Sequence, residues 1–465
     1  MLKQAFAFVI VILLLATPIN LAAQSVPKGI PSSAQAELTA GRLVTTDLDD
    51  AVIWVDDASI PADGFILDVG REFIRVHSYS PGGRLYAQQM LRKMAHRDSR
   101  GRSVIPCGRY SEIPRATWRG LMLDSGRQYQ SVATIKRLLD VLFELRMNIF
   151  HWHMTEGLGW RLEIKNYPHL TAHGSRVGQG PEQQGYYTQE EVRDVIAYAA
   201  ERNITVVPEI DMPGHAEAAL SSYPELGCFG ETPAIPETGF TDNIFCAGKD
   251  STLQFLRDVL DEVCALFPSP YIHLGGDEAP KGNWNRCPDC RRRMTSEGLA
   301  DAHELQLWFS AQMAQHLKTM GRRAIFWEDV VAQGDYPLPD NVVIQWWNYR
   351  SRKDTGLRRA LAKGYPVVCS PNYYTYLNFP IEPWRGYDTN RTFTLSDAYE
   401  RNPLDLALSE RHPLILGGEC ALWTDYVLTE DLLDERLFPR IYAIAQLLWA
   451  GQTLPFDDFR KTIGE

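Results

Sequence analysis

The chain has 465 residues, a length that suits one large domain together with a small accessory one. Hydrophobic residues make up 45% of it and charged residues 23%, which is typical of a folded globular protein and excludes a disordered or low-complexity chain. The formal charge of −11 argues against a nucleic-acid partner, because phosphate binding requires clustered lysines and arginines.

The N-terminal residues have the pattern of an export signal. Lys3 supplies a positive charge, residues 5–16 form an apolar run too short to span a bilayer comfortably, and small residues follow at Ala22 and Ala23. This pattern predicts a signal peptide over residues 1–23, with an uncleaved membrane anchor as the alternative. No later run is apolar enough to span a membrane. We therefore expect an exported protein, periplasmic or secreted, with no membrane span in the mature chain.

Residues 24–115 are predicted to form a small α+β domain. The runs AVIWVDD, GFILDV and EFIRVHS alternate apolar and polar residues, as half-buried strands do. A helical pattern follows over residues 83–95. Pro106 and Pro114 then mark the boundary with the rest of the chain.

Residues 116–465 alternate short apolar runs with amphipathic helical patterns. Eight runs have the Val, Ile and aromatic content of buried strands, and they cover residues 119–124, 147–154, 204–211, 271–278, 323–329, 341–347, 365–370 and 414–423. Helical patterns between them include residues 131–146, 188–202 and 251–267. This alternation predicts an α/β fold, a (β/α)8 TIM barrel preceded by a small α+β accessory domain; a doubly wound open sheet is the alternative. The barrel is favoured because polar residues recur where the strands end, which is where barrel enzymes assemble their sites.

The segment HLGGDEAP (273–280) is the strongest candidate for a catalytic site. Asp277 and Glu278 follow a buried run and two glycines, which allow a ligand or another backbone to approach closely. An acid that cleaves a glycosidic bond must stay protonated near neutral pH, and burial beside a second negative charge has that effect. The pair is therefore predicted to act in acid catalysis.

Histidines follow two other predicted strands. His215, in VVPEIDMPGHA (207–217), could relay or orient a proton for a nearby acid. His151 and His153, in HWHMTEGLGWR (151–161), could in principle bind a metal, but no third ligand stands at motif spacing. A hydrogen-bonded, packed pair is the favoured interpretation of these two.

Aromatic residues also gather at the ends of predicted strands, where we find Trp327, Trp346, Trp347 and Trp423. Each alone is more typical of a core. Together at one end of a barrel they predict an aromatic-walled sugar pocket, because the apolar faces of sugars stack on indole rings. Tyr376, Asp425 and Arg119 are assigned to comparable positions and could hydrogen-bond sugar hydroxyls.

The chain has eight cysteines, which an exported protein can oxidise. Cys228 and Cys246 flank a loop rich in Pro, Gly and Thr and are predicted to form a disulfide. Cys287 and Cys290 form a C-x-x-C that could be half of a zinc site, but no second pair follows at suitable spacing. A local disulfide or two free thiols is favoured there. No metal and no organic cofactor is implied.

Five segments together resemble glycoside hydrolase family 20, the β-N-acetylhexosaminidases. They are WRGLMLDSGR, NIFHWHMTEGLGWR, VVPEIDMPGHA, HLGGDEAP and ALWTDYV, in the family's order, and they cover about residues 110–450. The resemblance implies a retaining exo-glycosidase that removes terminal non-reducing β-linked N-acetylhexosamine, GlcNAc or GalNAc, from β-N-acetylhexosaminide glycans. It also implies substrate-assisted catalysis, in which the substrate's own acetamide oxygen attacks the anomeric carbon to form an oxazolinium.

The resemblance assigns roles to particular residues. It implies that Asp277 orients the acetamide and stabilises the oxazolinium, and that Glu278 protonates the leaving oxygen and then deprotonates water. His215 would assist the acid, with Glu156 as its partner. The residues implied in substrate binding are Arg119, Trp327, Trp346, Tyr376, Asn378, Trp423 and Asp425.

Three departures from the family pattern affect sugar specificity more than the acid pair. Glu156 is followed by Gly157 and Leu158 where the family often has a second acid, Asn378 stands where an aspartate is common, and Asp425 replaces a longer glutamate. Three alternatives stay open: a disaccharide-releasing enzyme similar to lacto-N-biosidases, a catalytically weak glycan-binding barrel, and a conventional glycosidase with carboxylates on two strands. Neither the oligomeric state nor a GlcNAc or GalNAc preference follows from the sequence.

Overall fold

The computed structural model describes seven stretches of the chain, residues 29–33, 35–178, 180–235, 241–381, 392–405, 412–425 and 429–465. The signal peptide over residues 1–23 lies outside them and stays a prediction. In the described stretches, no helix combines the length and the apolar character needed to cross a bilayer.

The N-terminal part is a six-stranded mixed sheet with one helix packed against it. Its strands are β1 (Ala36–Thr45), β2 (Val52–Asp56), β3 (Phe65–Val69), β4 (Ile74–Ser78), β5 (His96–Arg97) and β6 (Ser103–Glu112). Their order is β1-β6-β3-β4-β2 with β5 beside β6, and only the β2–β4 pair is parallel. Helix α1 (Pro81–Met94) starts where the Ser80 side chain accepts a hydrogen bond from the Gly83 amide. Alternate strand residues such as Phe65 and Leu67 are buried against it.

The rest of the described chain is built on a closed barrel of eight parallel strands. These are β7 (Trp118–Asp124), β8 (Ile149–His153), β11 (Thr205–Glu209), β12 (Tyr271–His273), β13 (Arg323–Trp327), β14 (Val342–Trp346), β15 (Val367–Cys369) and β16 (Ile415–Leu422). A small hairpin, β9 (Thr155–Glu156) and β10 (Gly159–Trp160), follows β8. The predicted TIM barrel with a preceding mixed-sheet domain is thereby confirmed.

Helices surround the barrel and fill its loops. They are α2 (Val132–Glu144), α3 (His169–Ala172), α4 (Gln189–Ala200), α5 (Glu217–Ser222), α6 (Asp250–Leu266), α7 (Gly282–Arg286), α8 (Pro288–Glu297), α9 (Ala302–Thr319), α10 (Asp329–Ala332), α11 (Tyr349–Arg352), α12 (Thr355–Ala362), α13 (Asn372–Thr375), α14 (Leu395–Glu400), α15 (Glu430–Leu437), α16 (Arg440–Trp449) and α17 (Phe456–Ile463). Helix α4 begins with a reciprocal capping box between Thr188 and Glu191.

The barrel interior changes from apolar to polar along the strands. Because side chains alternate in and out, residues two apart on a strand face the same side. One inward layer is apolar and consists of Trp118, Ile149, Val207, Ile325, Val343 and Val368. Two residues further along the strands, the inward positions are polar and buried, and they are His151, Glu209, His273, Gln345 and Glu419. This second layer forms the floor beneath the carboxyl ends of the strands.

Ion pairs neutralise the floor. His151 Nδ1 lies 2.7 Å from a Glu419 oxygen, and Trp327 Nε1 donates to Glu209 at 2.8 Å. Burial alone would lower the pKa of His151, but the charges of Glu419 and Glu209 raise it to about 9. His153 also bonds Glu209 through Nδ1. The hydrogen-bonded, packed histidine pair predicted from the sequence is confirmed.

Candidate active site

A cavity of about 320 Å³ opens at the carboxyl ends of the barrel strands. That volume is at the small end of the range for small-molecule sites, about 300–1,000 Å³. The residues that line it are Arg127, Asp277, Glu278, Trp327, Trp347, Asn348, Arg350, Ser351, Asn372, Tyr376, Asn378, Phe379, Trp423 and Asp425. Charged groups and indole rings therefore line the same cavity.

The turn after β12 brings Asp277 and Glu278 to the cavity. Gly275 and Gly276 have φ values of +62° and +100°, and a Cβ on Gly275 would lie 1.7 Å from Asp211 Oδ1. Glycine is therefore required where this turn passes Asp211. Glu278 itself has a φ of +44°, an uncommon backbone conformation for a residue with a side chain, of the kind that clusters at functional sites.

His215 lies between a buried carboxylate and the acid pair. Its Nδ1 is 2.8 Å from Glu156 Oε1, and its Nε2 is 3.6 Å from Asp277 and 3.9 Å from Glu278. Burial opposes a charged imidazole, but the charges of Glu156 and Asp277 raise the pKa of His215 well above its usual value. The surrounding carboxylates therefore favour the imidazolium form of this ring.

Glu156 does not line the cavity but contacts two residues, His215 and Arg127, next to it. It is buried and 2.7 Å from the Arg127 guanidinium. Burial alone would raise the pKa of Glu156, but Arg127 and His215 lower it to about 2. A permanently ionised carboxylate therefore holds both cations in place.

The acid pair is poised to hold protons. Burial, together with the charge of Glu278 and against that of His215, raises the pKa of Asp277 to about 7. Burial also raises the pKa of Glu278, against the charges of His215 and Arg127. Asp211 accepts the Gly276 amide at 3.0 Å, and burial beside Asp277 raises its pKa well above the usual value. Burial therefore favours the protonated forms of these carboxyl groups.

Arg127 is a site residue that the sequence interpretation missed. It follows the end of β7, lies 2.9 Å from Asp124, and its guanidinium carbon is 5.2 Å from the centre of the Trp423 ring. Its two ion pairs, with Asp124 and Glu156, occupy only part of its five N–H donors. The position of this arginine just past a strand end is the signal that could have identified it.

The prediction that Arg119 binds the sugar is wrong. Arg119 is the second residue of β7, at the amino end of the strand, and is 1% exposed. It donates to Asp63 at 2.7 Å and to the Ala116 carbonyl at 2.7 Å. These contacts tie the barrel to the accessory sheet at the end opposite the cavity.

The prediction that Trp346 forms a wall of the pocket is also wrong. Its neighbour Trp347 lines the cavity instead. Val343 and Gln345 face the barrel interior, so Trp347 continues the inward series while Trp346 points outward. Trp346 packs in the core around the barrel, where its Nε1 donates to the Lys353 carbonyl at 3.0 Å. The alternation of inward residues along β14 distinguishes the two.

The other predicted binding residues do reach the cavity. Trp327, Trp423 and Tyr376 line it, and the ring of Tyr376 lies nearly parallel to that of Trp347, with 6.3 Å between ring centres. Asn378 and Asp425 also line it, with Asn378 Nδ2 3.4 Å from Asp425 Oδ1. Burial raises the pKa of Asp425 to about 6 against the charge of Arg127.

All eight cysteines are free thiols. The predicted disulfide between Cys228 and Cys246 is therefore wrong. Cys246 instead has close sulfur neighbours on another loop, Cys287 at 3.8 Å and Cys290 at 3.6 Å.

Comparison with known proteins identifies the family. Residues 117–452 match the family model described as glycosyl hydrolase family 20, catalytic domain. The chain belongs to glycosyl hydrolase family 20. A β-hexosaminidase of Porphyromonas gingivalis is 37% identical over 84% of this chain and 52% of its own length, so the chain spans about half of that curated relative.

Two solved structures of family 20 members extend this comparison. A crystal structure of β-N-acetylhexosaminidase from Bacteroides fragilis is 51% identical, with a TM-score of 0.87 and 93% of each chain covered. An exo β-N-acetylglucosaminidase from Vibrio harveyi, solved in complex with N-acetylglucosamine, is 29% identical with a TM-score of 0.82. That alignment covers 95% of this chain and 76% of the Vibrio chain.

Proposed function

We propose that the chain is an exo-acting β-N-acetylhexosaminidase that releases terminal non-reducing GlcNAc or GalNAc with retention of configuration. The observation that carries the proposal is the pair Asp277 and Glu278 at the wall of an indole-lined cavity, within 4 Å of one imidazolium. Family membership supports the reaction class. The relatives named above are β-hexosaminidases, and the Vibrio structure contains N-acetylglucosamine.

Glu278 is the proposed general acid. It lines the cavity, and burial raises its pKa, which favours the protonated form that a general acid needs. Once it has given up that proton, the His215 imidazolium 3.9 Å away stabilises the carboxylate. The same carboxylate then takes a proton from the incoming water.

Asp277 is the proposed partner of the substrate acetamide. Its pKa of about 7 in the empty cavity leaves it partly protonated at neutral pH. An acetamide N–H that donates to the carboxylate favours the ionised form, as does His215 at 3.6 Å. The ionised group turns the acetamide oxygen toward the anomeric carbon and offsets the positive charge of the oxazolinium.

The walls of the cavity account for sugar binding and for exo action. Trp327, Trp347 and Trp423 provide faces on which a pyranose ring stacks, and Arg127 and Asp425 present charged hydrogen-bonding groups. The polar barrel layer closes the floor, which suits the terminal sugar of a glycan.

A comparison of aryl glycosides tests the proposal. The purified chain should hydrolyse aryl β-N-acetylglucosaminide or β-N-acetylgalactosaminide and leave the matched aryl β-glucoside, which lacks the acetamide, untouched. A thiazoline mimic of the oxazolinium should inhibit. Comparable turnover of the glucoside would indicate a conventional glycosidase instead, and binding of N-acetylhexosamine without any turnover would indicate a glycan-binding barrel.

Two variants separate the proposed roles. Glu278→Gln should lower kcat on a phenyl glycoside by roughly 10²- to 10⁴-fold, because the leaving oxygen then lacks an acid. A dinitrophenyl glycoside, whose leaving group needs no proton, should recover most of that loss. Asp277→Asn should remain slow on both substrates. Equal recovery in the two variants would contradict the assignment.

A further inference from the structure

Four cysteine sulfurs from two loops meet at one point outside the cavity. The Sγ atoms of Cys228, Cys246, Cys287 and Cys290 all lie within 4.8 Å of one another. Three separations are 3.9 Å for Cys228 and Cys290, 3.8 Å for Cys246 and Cys287, and 3.6 Å for Cys246 and Cys290. A disulfide requires sulfurs about 2.05 Å apart, so this spacing belongs to a different kind of site.

The spacing fits a tetrahedral metal. Zinc binds thiolate sulfur at about 2.3 Å, and a tetrahedron with that bond length has sulfur–sulfur edges of about 3.8 Å. The three separations above lie on either side of that value. We propose that these four cysteines bind a structural zinc ion. Four protein thiolates leave no open coordination position, so the metal takes no part in the chemistry.

The surrounding backbone is shaped to bring the two loops together. A Cβ on Gly248 would lie 2.3 Å from the backbone nitrogen of Cys290 and 2.3 Å from the carbonyl carbon of Asp289. Only glycine allows this approach, two residues after Cys246. The amide of Gly248 also hydrogen-bonds the Cys246 sulfur. The loop that carries Cys246 is therefore built to lie against the C-x-x-C turn.

The start of α8 positions two of the four sulfurs. Cys287 is the N-cap of this helix and Cys290 lies in its first turn. Cys246, Cys287 and Cys290 are fully buried, and Cys228 is partly exposed. Four sulfurs that share one centre, three of them on fully buried cysteines, are typical of ligands rather than of separate core residues.

The position of the site gives the metal a structural consequence. Cys228 and Cys246 follow β11 on the loop that carries His215, whereas Cys287 and Cys290 follow β12, just after the acid pair. Trp284 Nε1 donates to the Phe245 carbonyl at 3.0 Å, so the same loops also touch through protein contacts. Zinc would fasten together the loops that hold the imidazolium against the acids.

The sequence interpretation missed this site because it looked for a second pair after the C-x-x-C. The other two ligands precede it, and 17 residues separate them on another loop (positions 228 and 246). The inference does not depend on the proposed activity, because metal content and thiol state are measured without substrate.

Metal and thiol analysis of the full chain tests the proposal. The chain is produced with zinc in the medium, freed of loosely bound metal by gel filtration, and analysed for zinc and for intact mass. We expect about one zinc per chain, and a denatured mass that shows all cysteines reduced. Less than about half an equivalent of zinc, or a mass lowered by disulfide formation, would overturn the proposal.

A matched pair of serine variants locates the metal. Cys290→Ser should lose most of the zinc and lower Tm by several degrees, whereas Cys264→Ser, at a buried cysteine of α6 outside the cluster, should keep it. Full zinc in Cys290→Ser would overturn the assignment. If that variant does not fold, the visible absorption spectrum of the wild-type chain produced with cobalt tests the proposal instead, because cobalt in tetrahedral thiolate coordination absorbs intensely. Absence of this absorption would overturn the proposal.

Discussion

Two arginines near opposite ends of β7, Arg119 and Arg127, have similar partners and different roles. The guanidinium of Arg119 lies 5.1 Å from the centre of the Trp449 ring, and that of Arg127 lies 5.2 Å from the centre of the Trp423 ring. Each is ion-paired with an aspartate. Residue type and local environment therefore do not distinguish them.

What distinguishes the two arginines is how their donors are used. Arg119 donates to Asp63 and to the carbonyls of Ala116 and Arg146, so the protein itself satisfies it. Its neighbourhood is the interface between the accessory sheet and the barrel. Arg127 pairs with Asp124 and Glu156 but also lines an open cavity. A binding group is recognised by donors that face empty space at the carboxyl end of a strand.

The largest expected effect comes from replacing each arginine by lysine, which keeps the charge but loses the forked donors. Arg127→Lys should lower kcat/KM by roughly 10²-fold, the loss of one or two charged hydrogen bonds at about 1.5–3 kcal/mol each. Arg119→Lys should leave kcat/KM unchanged and lower Tm. Kinetics and thermal melts on both variants measure this. A loss of kcat/KM in Arg119→Lys at a temperature where it is folded would refute the distinction.

Two buried glutamates, Glu156 and Glu112, give a second matched pair. Glu156 supports His215 at 2.8 Å, whereas Glu112 accepts from Arg146 at 3.0 Å and from Trp449 at 2.7 Å below the barrel. Glu156→Gln should lower kcat/KM by roughly 10- to 100-fold, because His215 loses the carboxylate that keeps it charged. Glu112→Gln should affect Tm alone. If both variants kept full kcat/KM, the reaction would not require the Glu156 carboxylate beside His215.

Replacing the adjacent tryptophans Trp346 and Trp347 at the end of β14 should change the kinetics less than replacing Arg127 or Glu156. Trp347→Phe removes part of a cavity wall and should raise KM about tenfold. Trp346→Phe should leave KM unchanged and lower Tm, because it leaves a void in the core outside the barrel. Initial-rate kinetics on the two variants make the test. The reverse pattern would mean that the inward series along β14 is assigned incorrectly.

These tryptophans also show what the sequence can and cannot determine. Apolar runs alternating with helical patterns predict the barrel, because strand and helix periods are local properties. Which of two adjacent residues faces inward depends on strand register and barrel closure, which are not local. The assignment to Trp346 rather than Trp347 was wrong by that single step.

Arg119 and the cysteines were misassigned for different reasons. Arg119 begins the predicted run 119–124, so the rule that barrel sites form at the carboxyl ends of strands could have excluded it from the sequence alone. The four clustered sulfurs lie on two loops, and their convergence follows from how β11 and β12 pair side by side. Asp277 and Glu278 were found because glycines, a strand end and two acids all fall within eight residues, 273–280.

The smallest expected effect is a displacement of the pH profile. The pKa of Asp277 is about 7, raised by burial and by the charge of Glu278. If the ionised form of Asp277 is the active one, kcat/KM for an uncharged substrate should be level above this pH and fall about tenfold per unit below it. The pH profile of the wild-type chain on a dinitrophenyl glycoside measures this acidic limb.

Glu278→Gln should move that limb to lower pH, since the variant lacks a negative charge that raises the pKa of Asp277. The dinitrophenyl glycoside keeps the variant measurable, because its leaving group needs no acid. The wild-type profile on the same substrate is the reference. Asp124→Asn would not serve as a control, because it removes an ion-pair partner of Arg127. A limb that stays in place would assign the acidic transition to a group that Glu278 does not influence, and Asp277 would then not be the residue that must ionise.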